Sequence, residues 1–266
     1  MFRPALVATD LDGTLIRTDG TVSDRTRAAL RRAEGAGSLV VFVTGRPTRV
    51  MADVVTQTGA SGLAICANGA LVYDLDSHTT VRHHTLDTAT ALRLIVEIRA
   101  AVPDVCFAVE SGVRFGREPA FTTMWPDPHE VIGHMAELLV AMPATKLLVR
   151  REPHGSDLAD AHATIMRIAG SAAMVTTSSY DLVEIARAGV SKGVALAEIA
   201  AYYGLAAQNA IAFGDMPNDL PMFAWAGHAV AVANAHPDVL AAADEITASN
   251  DADGVAHVLE RLFPFP

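Results

Sequence analysis

The first apolar run of the chain, "ALVAT" at residues 5–9, ends on Asp10, Leu11 and Asp12, and a Gly13-Thr14 turn follows at once. Carboxylates crowded at the end of a buried element repel each other and lose hydration, so such a pair needs a cation or a chemical task. Residues two apart on an extended chain share a side, which lets both acids address one ligand. Further polar clusters follow apolar runs downstream: "TGR" at 44–46, Lys192 within "GVSKGVAL", and "GDMPND" at 214–219. Taken singly, each has an ordinary explanation. Asp-x-Asp arises by chance, Thr-Gly enters helices, a lysine sits on a surface, and acids and Asn cap loops. Their joint placement is what carries information.

That placement depends on the elements between them. "ALVATD", "SLVVFVTGR" and "GLAICANGA" read as strands apolar on both faces, separated by a helix over "SDRTRAALRRAEGAG" with Ser23 as N-cap and a second helix entered at Pro47. "SKGVALAEIAAYYG" reads as a helix capped by Ser191, followed by strands at "NAIAFGD" and "HAVAVANA". Continuous apolar strands alternating with helices imply a parallel sheet covered on both faces. In such an open sheet, ligands bind beyond the carboxyl ends of the strands, where all the polar clusters fall. The fold expected is α/β: a Rossmann-like parallel sheet core with helices on both faces, plus an inserted α+β cap domain. Residues 1–83 and 187–266 would form the core and residues 84–186 the insertion. Within it we read helices at 88–101, 130–141 and 156–169, and strands near 105–109, 113–115, 145–150, 174–177 and 182–186.

Composition narrows the field. With 51% hydrophobic residues the 266-residue chain has material for a large core and is too apolar for general disorder. A net charge of −10 argues against nucleic acid as partner, because backbone phosphates demand a basic face. Anionic substrates would need a local cation or metal to overcome that field. Cys66 and Cys106 lie in apolar stretches and read as buried free thiols of a reducing compartment. The first residues lack the long apolar stretch of a signal peptide, and no run of about eighteen apolar residues occurs, so a cytoplasmic protein without membrane contact is expected. The assembly expected is a monomer or small homo-oligomer.

The motifs "DLDGTL", "TGR", the lysine of "GVSKGVAL" and "GDMPNDLPM", in this order, together with "ANGA" at 67–70, resemble the haloacid dehalogenase superfamily. The likeness is to its Cof-like phosphatases, which carry an α/β cap after the third core strand, and it spans essentially the whole chain. One departure is Met216-Pro217, where a small residue usually follows Gly-Asp; Asp215, Asn218 and Asp219 keep their spacing.

The resemblance implies a Mg²⁺-dependent phosphatase that hydrolyses small phosphorylated metabolites, sugar phosphates above all, through an aspartyl-phosphate. Asp10 would be the nucleophile and Asp12 the general acid and base. Mg²⁺ takes one or two carboxylates with waters and phosphate oxygens. Its ligands would be Asp10, Asp215 and the backbone carbonyl of Asp12, with Asp219 at the metal directly or through water. Thr44 hydroxyl, the N–H groups of Gly45 and Leu11, Lys192 and the Asn218 amide would bind phosphate. Arg46 and Asn68 read equally as substrate contacts or structural hydrogen-bonding groups. The cap would read the leaving group, with residues 114–125 and 150–154 as candidates. A phosphomutase of the same superfamily is the nearest alternative. A phospho-receiver signalling module shares acids, Thr, Lys and Mg²⁺ but lacks a large insertion. A metal-dependent glycosyltransferase would leave Lys192 and "GDMPND" without purpose.

Overall fold

A computed structural model describes residues 3–123, 125–151, 158–179 and 181–264. In chain order the elements are β1 (Leu6–Thr9), α1 (Asp24–Gly35), β2 (Leu39–Val43), α2 (Met51–Thr58), β3 (Leu63–Cys66), β4 (Leu71–Asp74) and β5 (Thr79–His83). Then come α3 (Thr88–Ala101), β6 (Val105–Ser111), β7 (Arg114–Arg117), β8 (Val131–Ile132), α4 (Met135–Ala141), β9 (Lys146–Arg151), α5 (Ala159–Ala169), β10 (Ala173–Ser179) and β11 (Leu182–Arg187). The chain closes with α6 (Lys192–Tyr202), β12 (Ala210–Gly214), α7 (Leu220–Trp225), β13 (His228–Val232), α8 (Pro237–Ala242), β14 (Glu245–Thr247) and α9 (Gly254–Leu262).

The first sheet runs β14-β13-β12-β1-β2-β3-β4-β5 and is parallel from β14 to β3. The central strand shows why these runs are apolar throughout. Val7 packs into the cluster containing α1 and α9, while Leu6 and Ala8 pack into the cluster containing α6, α7 and α8, so both faces are covered. Ser23 accepts the Thr26 N–H at the start of α1, whose Thr26, Ala29, Leu30 and Ala33 form the buried stripe.

Register aligns the chemistry. Thr9 pairs with Phe213 on one side and Phe42 on the other, so Asp10, Thr44 and Asp215 emerge at one edge of the sheet. From β1 the chain proceeds toward β2 in one direction, while β12 occupies the other side, which opens a crevice at the carboxyl ends between them.

The second sheet, β10-β11-β9-β6-β7-β8, is antiparallel except for the β7–β8 pair. Helices α3, α4 and α5 cover one of its faces, against Phe107, Val109, Leu147, Val149, Val183 and Ile185. The alternating residues of the same strands, among them Glu110, Lys146, Leu148, Arg150 and Glu184, line a chamber toward the first sheet.

One element was not anticipated and two expected helices start later. Residues 71–83 form an antiparallel hairpin that extends the first sheet beyond β3. Its turn is built by Asp74, whose Oδ1 accepts the N–H groups of Asp76 and Ser77. The helix expected from residue 130 begins only at Met135, because Val131 and Ile132 pair with β7 at the sheet edge. The helix expected from 156 begins at Ala159 among the described residues. Both cysteines are buried free thiols, and burial pushes the Cys66 thiol up to about 12. Among the described residues no helix is long and apolar enough to cross a membrane.

Candidate active site

Three carboxylates meet at the crevice. Oxygen atoms of Asp10, Asp215 and Asp219 lie within 4.8 Å of one another, and all three residues are buried. Lys192 reaches into them, donating to Asp10 Oδ1 at 2.5 Å and to Asp219 Oδ1 at 2.6 Å. The lysine is the first residue of α6, whose cap Ser191 accepts the Val194 N–H. A cation there opposes the positive end of the helix dipole, so its place is explained by the acids and not by the helix. Burial works against its charge, but Asp10 and Asp219 prevail and hold the Lys192 ammonium above its ordinary pKa.

Two further oxygens of the cluster have their own donors. Asp219 Oδ2 accepts the N–H groups of Asp215 and Met216 at 2.9 and 3.0 Å, and Asp215 Oδ1 accepts the Thr14 hydroxyl at 2.7 Å. Met216-Pro217 is thereby accommodated: Pro217 opens a single tight turn, residues 217–219, that returns Asp219 to the Asp215 backbone. Burial and the neighbouring acids raise Asp10 well above the usual carboxylate range, and burial and Asp219 push Asp215 up to about 6. Three buried carboxylates against one ammonium leave negative charge uncompensated, which fits a hard divalent cation. Gly13 leaves room for the Asp215 carboxylate. With φ at +77°, a Cβ at this position would stand 2.4 Å from Asp215 Oδ2.

Asp12 is not in that group. Its half-exposed carboxylate takes a bidentate pair from Arg46, with Nη2 at 2.6 Å and Nε at 2.8 Å. Leu11 is buried, and its carbonyl accepts N–H groups from Thr14, Leu15 and Ile16, which knits the turn. Thr44 is buried after β2, and its hydroxyl accepts the Arg46 N–H at 3.0 Å, so the hydroxyl proton is left to donate. The Gly45 carbonyl accepts Lys146 Nζ at 2.7 Å. Asn218 donates its amide to Asn68 Oδ1 at 3.0 Å, while its own Oδ1 is buried without a partner among the described residues.

Sequence reasoning missed a buried polar chain that joins the two sheets. Lys146 pairs with Glu184, Glu184 accepts Asn68 Nδ2 at 2.5 Å, and Asn68 meets Asn218. Nearby, Arg49 pairs with Glu110 at 3.0 Å and donates to the Trp125 carbonyl at 2.9 Å. Burial pushes Glu110 up, and Arg49 offsets only part of it. The signal in "TKLLVRR" was faint: Lys146 and Arg150 share a side of the strand with Leu148, while Leu147 and Val149 fill the opposite face. Of the expected candidates in the insertion, Phe121, Thr123, Trp125 and Arg150 line the chamber; residues 124 and 152–154 lie outside the described residues.

A family model described as haloacid dehalogenase-like hydrolase matches residues 7–259. The chain belongs to this family. The hydrolase is 30% identical over 279 residues to the 5-amino-6-(5-phospho-D-ribitylamino)uracil phosphatase of Bacillus subtilis, with 98% of each chain covered. It is 27% identical to the pyridoxal phosphate phosphatase of Escherichia coli, covering 96% of this chain and 97% of that one. A crystal structure of a haloacid dehalogenase-like hydrolase from Bacteroides thetaiotaomicron superposes with a TM-score of 0.77 at 26% identity, covering 97% and 99%. The Cof-like phosphatase resemblance and the α/β fold with a parallel core are thereby established for the hydrolase, which is an enzyme of the phosphatase kind.

Proposed function

We propose that this phosphatase hydrolyses small phosphorylated metabolites, a class that includes the sugar phosphates implied by its motifs, with Mg²⁺ and through an aspartyl-phosphate on Asp10. The observation that carries the reading is the Asp10–Lys192–Asp219–Asp215 cluster at the crevice. Asp10 and Asp215 would hold the cation together with the Asp12 carbonyl. Asp219, whose oxygens are engaged by Lys192 and two backbone N–H groups, would brace the site or act through water. When bound, Mg²⁺ neutralises phosphate charge that would otherwise repel the attacking carboxylate.

An Asp10 carboxylate oxygen attacks phosphorus and the ester P–O bond breaks. Asp12, once it has taken a proton from solvent, gives that proton to the departing alkoxide. The same carboxylate then takes a proton from water, whose oxygen attacks phosphorus and breaks the bond to Asp10, freeing phosphate. The Thr44 hydroxyl, the N–H groups of Gly45 and Leu11, Lys192 and Asn218 hold the phosphoryl oxygens through this charge redistribution. Residues 84–186 act as a cap that excludes water and reads the alcohol, with the Lys146–Glu184–Asn68 chain fastening it over the site.

The test is phosphate release from a generic aryl phosphate. Turnover is expected with Mg²⁺ and none with a chelator, and Mg²⁺ should raise the melting temperature in proportion to its binding. Full turnover in the chelator would overturn the reading. With a sugar phosphate as substrate, an isomer formed without free phosphate would favour a mutase. Gly13→Ala should raise the Mg²⁺ concentration for half-maximal activity at least ~10-fold, by pressing a methyl against Asp215. An unchanged Mg²⁺ dependence would remove the cation from that pocket.

A further inference from the structure

The chamber beyond the acids has a volume of about 240 Å³, smaller than the ~300–1,000 Å³ of sites that take drug-sized ligands. Among the described residues its walls combine the apolar side chains of Phe121, Trp125, Leu148, Leu182 and Met216 with charged groups that are already matched. Arg46 is held by Asp12, Lys146 by Glu184 and the Gly45 carbonyl, and Arg150 by Asp181 at 3.2 Å and the Thr122 carbonyl at 2.7 Å. On the acidic side, Glu184 is engaged by Lys146 and Asn68, and Glu110 by Arg49.

We infer that the chamber selects phosphate monoesters of small, uncharged alcohols that carry one flat ring, and rejects substrates with a second phosphate. This rests on the phosphatase reading and narrows its substrate class. A second phosphate would have to break an existing ion pair and face the carboxylates of Glu110 and Glu184. A polyol would bring hydroxyls to walls whose polar groups are already engaged, leaving them unpaired. A flat ring instead covers the apolar walls and stacks beside Trp125, which Arg46 already flanks at 5.7 Å from the ring centre.

The experiment compares kcat/KM, with Mg²⁺, for benzyl phosphate, glucose 6-phosphate and fructose 1,6-bisphosphate. All three release primary alcohols of similar acidity, so the ranking reports binding of the leaving group. Benzyl phosphate should exceed glucose 6-phosphate by ~10-fold or more and the bisphosphate by ~100-fold or more. Glu184→Gln, which strips Lys146 of its counter-charge, should raise the bisphosphate's kcat/KM by ~10-fold. Trp125→Ala should lower that of benzyl phosphate more than that of glucose 6-phosphate. Mg²⁺-dependent turnover with the bisphosphate or the sugar preferred would overturn the inference and leave the phosphatase reading standing. A ranking unmoved by both variants would overturn it too, because the walls would then not set the choice. Phosphate from none of the three esters would bring down both.

Discussion

Asp10→Asn is expected to abolish phosphate release, lowering kcat by at least ~10⁴-fold while the fold persists. The amide cannot form the acyl-phosphate, and among the described residues the neighbouring acids are engaged elsewhere. Asp219 is locked by Lys192 and two backbone N–H groups, Asp215 is tied to Thr14, and Asp12 is paired with Arg46. The substitution should be tolerated structurally. Burial and two neighbouring acids already disfavour the Asp10 charge, so a neutral isostere relieves repulsion while its oxygen can still accept from Lys192. Steady-state kinetics and thermal melting check both halves. Near wild-type kcat would remove Asp10 as nucleophile, whatever the melting temperature.

Lys192→Ala should lower kcat by ~10³-fold or more, since one preorganised charge on the transferring oxygens disappears. It should also destabilise the protein by ~3–5 kcal/mol at neutral pH, because buried carboxylates lose their counter-charge. The sign of the pH dependence follows. Asp215 titrates near 6 in the folded state, above its unfolded value, so the folded state binds protons more tightly and gains stability as pH falls. In chelator, the melting-temperature deficit of the variant should therefore shrink as pH drops through about 6 and widen above it. A deficit independent of pH would mean that the ammonium is not the counter-charge of these acids. An unchanged kcat would place it outside the chemistry.

The core was legible because its strands are buried on both faces. "ALVAT", "LVVFV" and "AIAFG" leave little choice but a covered parallel strand, and the acids follow where such strands must end. Ser23 and Ser191 marked their helices by capping chemistry that acts within a few residues. What escaped depends on partners distant in sequence. Glu110, Lys146 and Glu184 sit in strands as charged residues, a pattern that ordinarily marks a solvated face. They are buried only because the second sheet lies over the first. Arg46 and Asp12, thirty-four positions apart, offered no local sign of their pairing. The hairpin at 71–83 mixes Tyr, Asp, Ser and His without clear alternation, and its outer strand is exposed throughout.

Chemical trapping reads out directly which carboxylate takes the phosphoryl group. Borohydride added during turnover reduces an acyl-phosphate to homoserine, and peptide mass spectrometry then locates it. The Asp12→Ala variant, lacking the base that activates water, should accumulate the adduct. Homoserine is expected at position 10, dependent on both substrate and Mg²⁺. Homoserine at position 12 or 215, with residue 10 unmodified, would contradict it.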